Sequence, residues 1–173
     1  MILTGYEIKK RLATDIIITE FDEKRLNPNS YDLRLHNELL LYTDHCLDFK
    51  IDDKTETFKI PEDGLILYPG ILYLARTIEW TETYNLVPSI DGKSSVGRKG
   101  LCVHVTAGFG DIGFKGCWTL EMTCIHPVRI YPGMRICQIK YQTILGNYSK
   151  GYQGKYQCQD KIESSKSYKD EEL

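Results

Sequence analysis

The segment Leu65-Ile66-Leu67-Tyr68-Pro69-Gly70-Ile71-Leu72-Tyr73-Leu74-Ala75-Arg76-Thr77 decides the fold class. Two runs of branched and aromatic residues, each too brief for a helix, are split by turn formers, the pattern of consecutive β-strands. The style continues outward. Upstream, Tyr31 to Leu35, Leu39 to Tyr42 and Thr57 to Ile60 read as strands. Downstream, so do Leu86 to Ile90, Leu101 to Thr106, Cys117 to Cys124, Val128 to Tyr131 and Arg135 to Tyr141, punctuated at Gly92, Gly100, Gly113, Pro127 and Pro132-Gly133. Many short strands predict an all-β sandwich or barrel. Residues 1 to 12 read as a short N-terminal helix, with Thr4 as cap and Glu7 completing a capping box ahead of Ile8 and Leu12.

The chain has 173 residues, 42% of them hydrophobic, enough for one domain over 1–173 with a core of its own. It shows no internal repeat and no linker. Beyond Leu145 the composition shifts to Gly, Ser, Tyr, Lys and Gln, so 146–173 is expected to be a flexible tail, disordered or ordered by a ligand or neighbouring subunit. A net charge of -2 argues against a nucleic-acid backbone as partner, yet leaves room for free nucleotides. No apolar run reaches the ~18 to 20 residues of a membrane span, and Met1 to Glu7 lacks the features of a signal peptide. A cytoplasmic location is expected. The ending Lys169-Asp170-Glu171-Glu172-Leu173 faintly resembles a retention signal and is read as a solvated charged tail.

Six cysteines and four histidines raise the question of zinc. No C-x-x-C pair occurs, and no His-x-Glu precedes a Pro-Cys-x-x-Cys, so no zinc is expected and most of the cysteines are read as reduced core residues.

Three segments carry chemistry. Gly92-Lys93-Ser94-Ser95-Val96-Gly97-Arg98 places cations and hydroxyls in one glycine-flanked turn between apolar strands, which suits a phosphate as well as it suits an ordinary polar loop. The hairpin His104 to Gly116 is dense in glycine and holds a single carboxylate, Asp111, able to accept a hydrogen bond from a sugar hydroxyl; an ordinary hairpin with Asp at its turn reads the same way. In Thr119-Leu120-Glu121-Met122 an acid interrupts an apolar strand. Period-2 alternation puts Thr119 and Glu121 on one face, and Glu121 then either faces solvent or is buried with a partner, Arg98 being the candidate by charge.

These blocks resemble the dCTP deaminases of the dCTP deaminase and dUTPase superfamily, whose pattern reads G-R-S-S-x-x-R-x-G-L, T-A-G-x-I-D-P-G-F-x-G and T-L-E with the same spacing. Asn27-Pro28-Asn29-Ser30-Tyr31-Asp32-Leu33-Arg34-Leu35 is similar to the family's P-x-S-x-D-L-R-L, Pro132 to Gln138 to its P-G-M-x-I-x-Q, and Lys155-Tyr156-Gln157-Cys158-Gln159 to its tail motif K-Y-x-x-Q. The resemblance spans nearly the whole chain. It implies a distorted β-barrel or jelly-roll-like, dUTPase-type fold, a homotrimer with active sites between subunits, and 146–173 as a lid over bound triphosphate.

The chemistry it implies is hydrolytic deamination of dCTP. Water attacks C4 of cytosine, and Glu121 relays protons from that water to the ring nitrogen and the leaving ammonia. The water would sit among Glu121, Ser94 and the Ala107 carbonyl, with Arg98 stabilising charge near the base. Asp111 would take the 3'-hydroxyl. Lys93, Ser94, Ser95, Lys155, Gln159 and either Tyr148 or Tyr152 would line the triphosphate, which carries magnesium; Val96, Gly97, Thr119 and Leu120 complete the expected site. Feedback inhibition by dTTP is a further possibility from the same resemblance. The sequence departs from the family at Lys93, usually Arg, at Gly110 and Ile112 around Asp111, and at Lys161, usually Gly.

Two rivals share the fold. A plain dUTPase needs no proton-shuttling acid, and a non-catalytic nucleotide-binding module would not need Ser94, Arg98, Asp111 and Glu121 together. A bifunctional form, taking dCTP to dUMP and diphosphate in one site, shares every motif with the pure deaminase, so the choice between those two stays open.

Overall fold

The computed structural model describes residues 1–170; 171–173, the end of the charged tail, lie outside the described residues. The first helix, α1, runs over Gly5–Lys10, with the Thr4 hydroxyl accepting from the Glu7 N–H. The reciprocal half of the expected capping box is replaced by an ion pair, because the Glu7 carboxylate turns to Arg11 at 3.5 Å.

The strands are β1 (Ile16–Ile18), β2 (Tyr31–Tyr42), β3 (Thr55–Lys59), β4 (Leu65–Leu67), β5 (Tyr73–Thr77), β6 (Thr81–Thr83), β7 (Leu86–Gly92), β8 (Leu101–Cys102), β9 (Lys115–Gly116), β10 (Thr119–Cys124), β11 (Val128–Ile130) and β12 (Arg135–Thr143). A second helical turn, α2, covers Ser94–Gly97. The main sheet runs β7-β12-β2-β5-β10-β8, with β3 also on β2; β1-β6-β9 and β11-β4 form smaller sheets, and every strand pairing is antiparallel. The fold is thus all-β, as expected, and barrel-like.

Long-range geometry comes from β2. The two strands expected at Tyr31 to Leu35 and Leu39 to Tyr42 are one strand of 12 residues. Its first half pairs with β12 and its second half with β5 and β3, the register shifting between Leu35 and Leu39. Such an irregularity bends a strand and lets it serve two walls of a curved sheet. The core behind it holds Tyr31, Leu33, Leu35, Leu39, Leu120, Met122, Ile136, Ile139 and Tyr141. At its start the fully buried Glu79 takes hydrogen bonds from Arg25 and from the Arg34 side chain and N–H, so that no charge is buried alone.

Of the cysteines, Cys117, Cys124 and Cys137 are buried while Cys46, Cys102 and Cys158 are exposed, so only half fit the expected core role. Among the described residues no helix is long and apolar enough to cross a membrane.

The tail is tied to its own chain. Cys158 N–H donates to the Lys115 carbonyl at 2.9 Å, Tyr152 N–H to Ile112 at 2.6 Å, and Gly116 and Gln159 form a parallel bridge. Gln157 substitutes for a strand partner, its carbonyl oxygen accepting from Lys115 N–H and its amide donating to the Gly113 carbonyl. Glutamine side chains thereby give a polar tail the backbone pairing that its lack of apolar periodicity denies it.

Candidate active site

The expected phosphate turn is α2. The Lys93 carbonyl accepts from Val96 and Gly97 N–H groups at 3.0 and 2.9 Å, and buried Val96 roots the turn in the core. Ser94, Ser95, Gly97 and Arg98 are left exposed. Lys93 differs: its ammonium lies on the buried carboxylate of Asp32 at 2.5 Å.

Facing α2 is the segment after β8. The expected strand Leu101 to Thr106 stops at Cys102, because the chain leaves the sheet to dock on β7, with Ile90 N–H donating to the Gly108 carbonyl at 2.7 Å and Gly110 N–H to that of Pro88 at 3.0 Å. A cavity of about 480 Å³ opens between the two, lined by Lys93, Ser94 and Gly97 on one side and His104, Thr106 and Gly108 on the other. Ala107 and Asp111 are exposed on the hairpin.

His104 is a feature that motif reading passed over. Both of its ring nitrogens are buried with no hydrogen-bond partner among the described residues. Burial pushes its pKa below the ordinary histidine value, against the opposing pull of the Glu121 and Asp91 carboxylates, so the ring is neutral near pH 7. The only signal in the sequence is a histidine between Val103 and Val105 beside the glycine-rich hairpin, too common a pattern to single it out.

The third group lies on the outward face of β10. Leu120, Met122 and Cys124 point into the core, which leaves Thr119 and Glu121 half-buried on the other face as alternation predicts. The Thr119 hydroxyl accepts from the Gln159 amide and the Glu163 N–H, both at 3.4 Å. Tyr152 packs on Phe114 with ring centroids 6.0 Å apart, and its hydroxyl accepts from Tyr156 N–H. Tyr148 points its hydroxyl to Asn85 at 2.7 Å and remains 42% exposed. Lys155 is paired with Asp170 at 2.6 Å.

The chain therefore brings Thr119 together with Gln159, and the Asp111 hairpin together with Tyr152. It does not bring Arg98 onto Glu121: among the described residues neither takes part in an ion pair, so the pairing expected from charge is not made within one chain. No cluster of three or more His, Cys, Asp or Glu side chains suited to a metal occurs among the described residues.

The profile of the dCTP deaminase-like family matches residues 2–144. A "dCTP deaminase, dUMP-forming" of Leptospira biflexa is 59% identical over 170 residues, covering 98% of each chain, and one of Cytophaga hutchinsonii is 58% identical with the same coverage. The crystal structure of 2'-deoxycytidine 5'-triphosphate deaminase from Agrobacterium tumefaciens superposes with a TM-score of 0.66 at 20% identity, over 82% of this chain and 48% of that longer one. At that identity the likeness speaks for the fold, while the match along the full length of the relatives speaks for descent, and the chain belongs to the dCTP deaminase-like family.

Proposed function

We infer that the protein deaminates dCTP and carries the product on to dUMP. The observation that carries this reading is Glu121: a half-buried carboxylate on an interior strand, paired with no cation among the described residues, on the face that the tail crosses. A carboxylate so placed is available to take a proton from water and return it twice. Water adds to C4 as Glu121 accepts its proton; Glu121 then protonates the ring nitrogen, takes the remaining hydroxyl proton, and delivers it to the departing ammonia. The neutral, buried ring of His104 keeps that side of the cavity free of a competing cation.

The relatives at 58 to 59% identity are named dUMP-forming, which favours the second hydrolysis, dUTP plus water to dUMP plus diphosphate, over a pure deaminase. Ser94, Ser95 and Lys155 supply donors for the triphosphate, and magnesium would neutralise its oxygens. Tyr148, 42% exposed with its hydroxyl on the side chain of Asn85, is the tail tyrosine freer to move to a phosphate, because the Tyr152 ring is packed on Phe114.

Arg98 and Glu121 are assigned to one site completed by a second copy, as in a homotrimer. That the two form no ion pair within one chain, among the described residues, supports this, since Arg98 can then meet the neighbouring Glu121.

Incubating the protein with magnesium and dCTP, and separately with dUTP, and resolving the nucleotides by ion exchange, tests the reading. dUMP and ammonia are expected from dCTP. Accumulation of dUTP as end product would make it a pure deaminase, and cleavage of dUTP with dCTP untouched would make it a dUTPase. No change in either would leave a binding module.

A further inference from the structure

Tyr42 belongs to none of the motif blocks, yet it stands on the same face of the sheet as Glu121. Strand pairing sets Leu39, Ala75 and Leu120 in one row across β2, β5 and β10, and Leu40, Leu74 and Glu121 in the next. The first row is core. Alternation turns the second row to the opposite face, together with Tyr42, two residues past Leu40, and Thr119, two residues before Glu121. On that face Leu40 and Leu74 are 7% and 5% exposed although they lie outside the core cluster, so something other than the core covers them.

The cover is the end of the tail. Glu163 N–H donates to the Thr119 hydroxyl at 3.4 Å on one side of the row, and Ser165 N–H to the Tyr42 hydroxyl at 2.8 Å on the other. Residues 163–165 therefore cross from β10 to β2 beside Glu121. The crossing segment brings a cation over this face and neutralises it by itself: Lys166 lies on Glu163 at 2.8 Å, and the Lys166 N–H donates to the Tyr156 hydroxyl at 3.0 Å. Glu121 is thus walled on the β5 side without being paired, while β8, which leads to His104 and the cavity, lies on its other side. Burial raises the Tyr42 pKa, against the pull of the Ser165 N–H, and the charges of Asp53 and Glu121 add to the rise, so the phenol is protonated near pH 7.

We propose that Tyr42 is a positioning residue for the deamination: it latches residues 163–165 as a strap beside Glu121, and the strap fixes the carboxylate and keeps bulk water from it. A carboxylate that takes a proton from one water and returns it to the substrate gains from both, because loose geometry costs rate and free water diverts the proton. The strap begins beyond Lys155 and Gln159, the tail residues expected at the triphosphate, so its opening is felt in kcat and not in KM.

The inference rests on Glu121 performing the deamination assigned above. Tyr42→Phe keeps the ring and removes the oxygen that accepts from Ser165. With magnesium and dCTP, kcat for ammonia release is expected to fall about fivefold, the factor that one net hydrogen bond contributes, with KM within about twofold. Ser165→Pro withdraws the same bond from the tail side and should lower kcat equally. The double variant should fall no further than either single one, since the two changes remove one contact. Losses that multiply in the double variant overturn the proposal, because Tyr42 then acts without Ser165. A KM raised about tenfold in Tyr42→Phe also overturns it, by making Tyr42 part of substrate binding. Native protein that releases no ammonia overturns the deamination and this proposal with it; active native protein matched within about twofold by Tyr42→Phe overturns this proposal alone.

Discussion

Gln159 and Cys117 are joined twice: the Cys117 N–H donates to the Gln159 carbonyl at 2.9 Å, and the Gln159 side-chain amide donates to the Cys117 carbonyl at 2.7 Å. The pair pins the tail just ahead of β10, two residues before Thr119, and Gln159 is 8% exposed. Replacing Gln159 with Ala leaves the Cys117 carbonyl buried without its donor, a cost of ~1–3 kcal/mol. Urea unfolding of Gln159→Ala should show that loss, and protease cutting after Lys161 should quicken. An unchanged midpoint with unchanged cleavage would show that the tail is held elsewhere.

Glu121→Gln keeps the shape of the side chain and removes the proton acceptor. Ammonia release from dCTP should fall by ~10²–10⁴-fold, the usual contribution of a positioned acid or base. Binding of dCTP should persist, and thermal stability should hold, because Glu121 has no ion pair to lose among the described residues. Substantial residual deamination would remove Glu121 from the reaction.

If the site is shared between copies, Arg98→Ala and Glu121→Gln are each inactive alone but complement each other. Mixed and reassembled from denaturant in equal amounts, they should recover about a quarter of native activity, since that share of interfaces pairs an intact Arg98 with an intact Glu121. Recovery near zero, with light scattering showing mixed assemblies, would place both groups in one chain's site.

His104 and His36 both have pKa values lowered from the ordinary 6.5 by burial, His36 with added repulsion from Arg76. The unfolded chain therefore binds more protons than the folded one once pH falls below 6.5, so this contribution to stability is present above that pH and is lost as pH drops towards the lowered folded values. Tm should fall between pH 7 and pH 5.5, and His104→Gln should flatten part of that slope. An equal slope in the variant would mean that other groups set it.

At Gly110 a Cβ would stand 2.4 Å from the Trp118 ring and 3.0 Å from Pro88. The departure from the family's bulkier residue is thus matched by a large indole that fills the space, its N–H donating to Thr81 at 2.9 Å. Gly110→Val should destabilise by ~1–3 kcal/mol through overpacking, and Gly110→Val combined with Trp118→Val should recover part of it, as seen in paired chemical denaturation curves. Additive losses would show that the two positions do not share the space.

Much of the fold was legible because alternation is a local signal. Thr119–Cys124 and Arg135–Thr143 announce their buried faces residue by residue, and Thr4 announces the start of α1. Strands of three residues, Ile16–Ile18 and Thr81–Thr83, carry too few positions for a period and went unread. The motif segments were also legible, down to the face that Glu121 occupies.

What the residues alone determined, then, was the β class, the capped first helix and the reactive side chains. Tertiary structure decided how they are used: that Lys93 turns to Asp32, that Gln159 pins the tail, that the ring nitrogens of His104 are buried, and that Arg98 and Glu121 form no ion pair within one chain among the described residues. Each of these depends on which strands lie side by side across β12 and β10. A charge or amide takes its role from partners distant in sequence, and no local pattern encodes where those partners will stand.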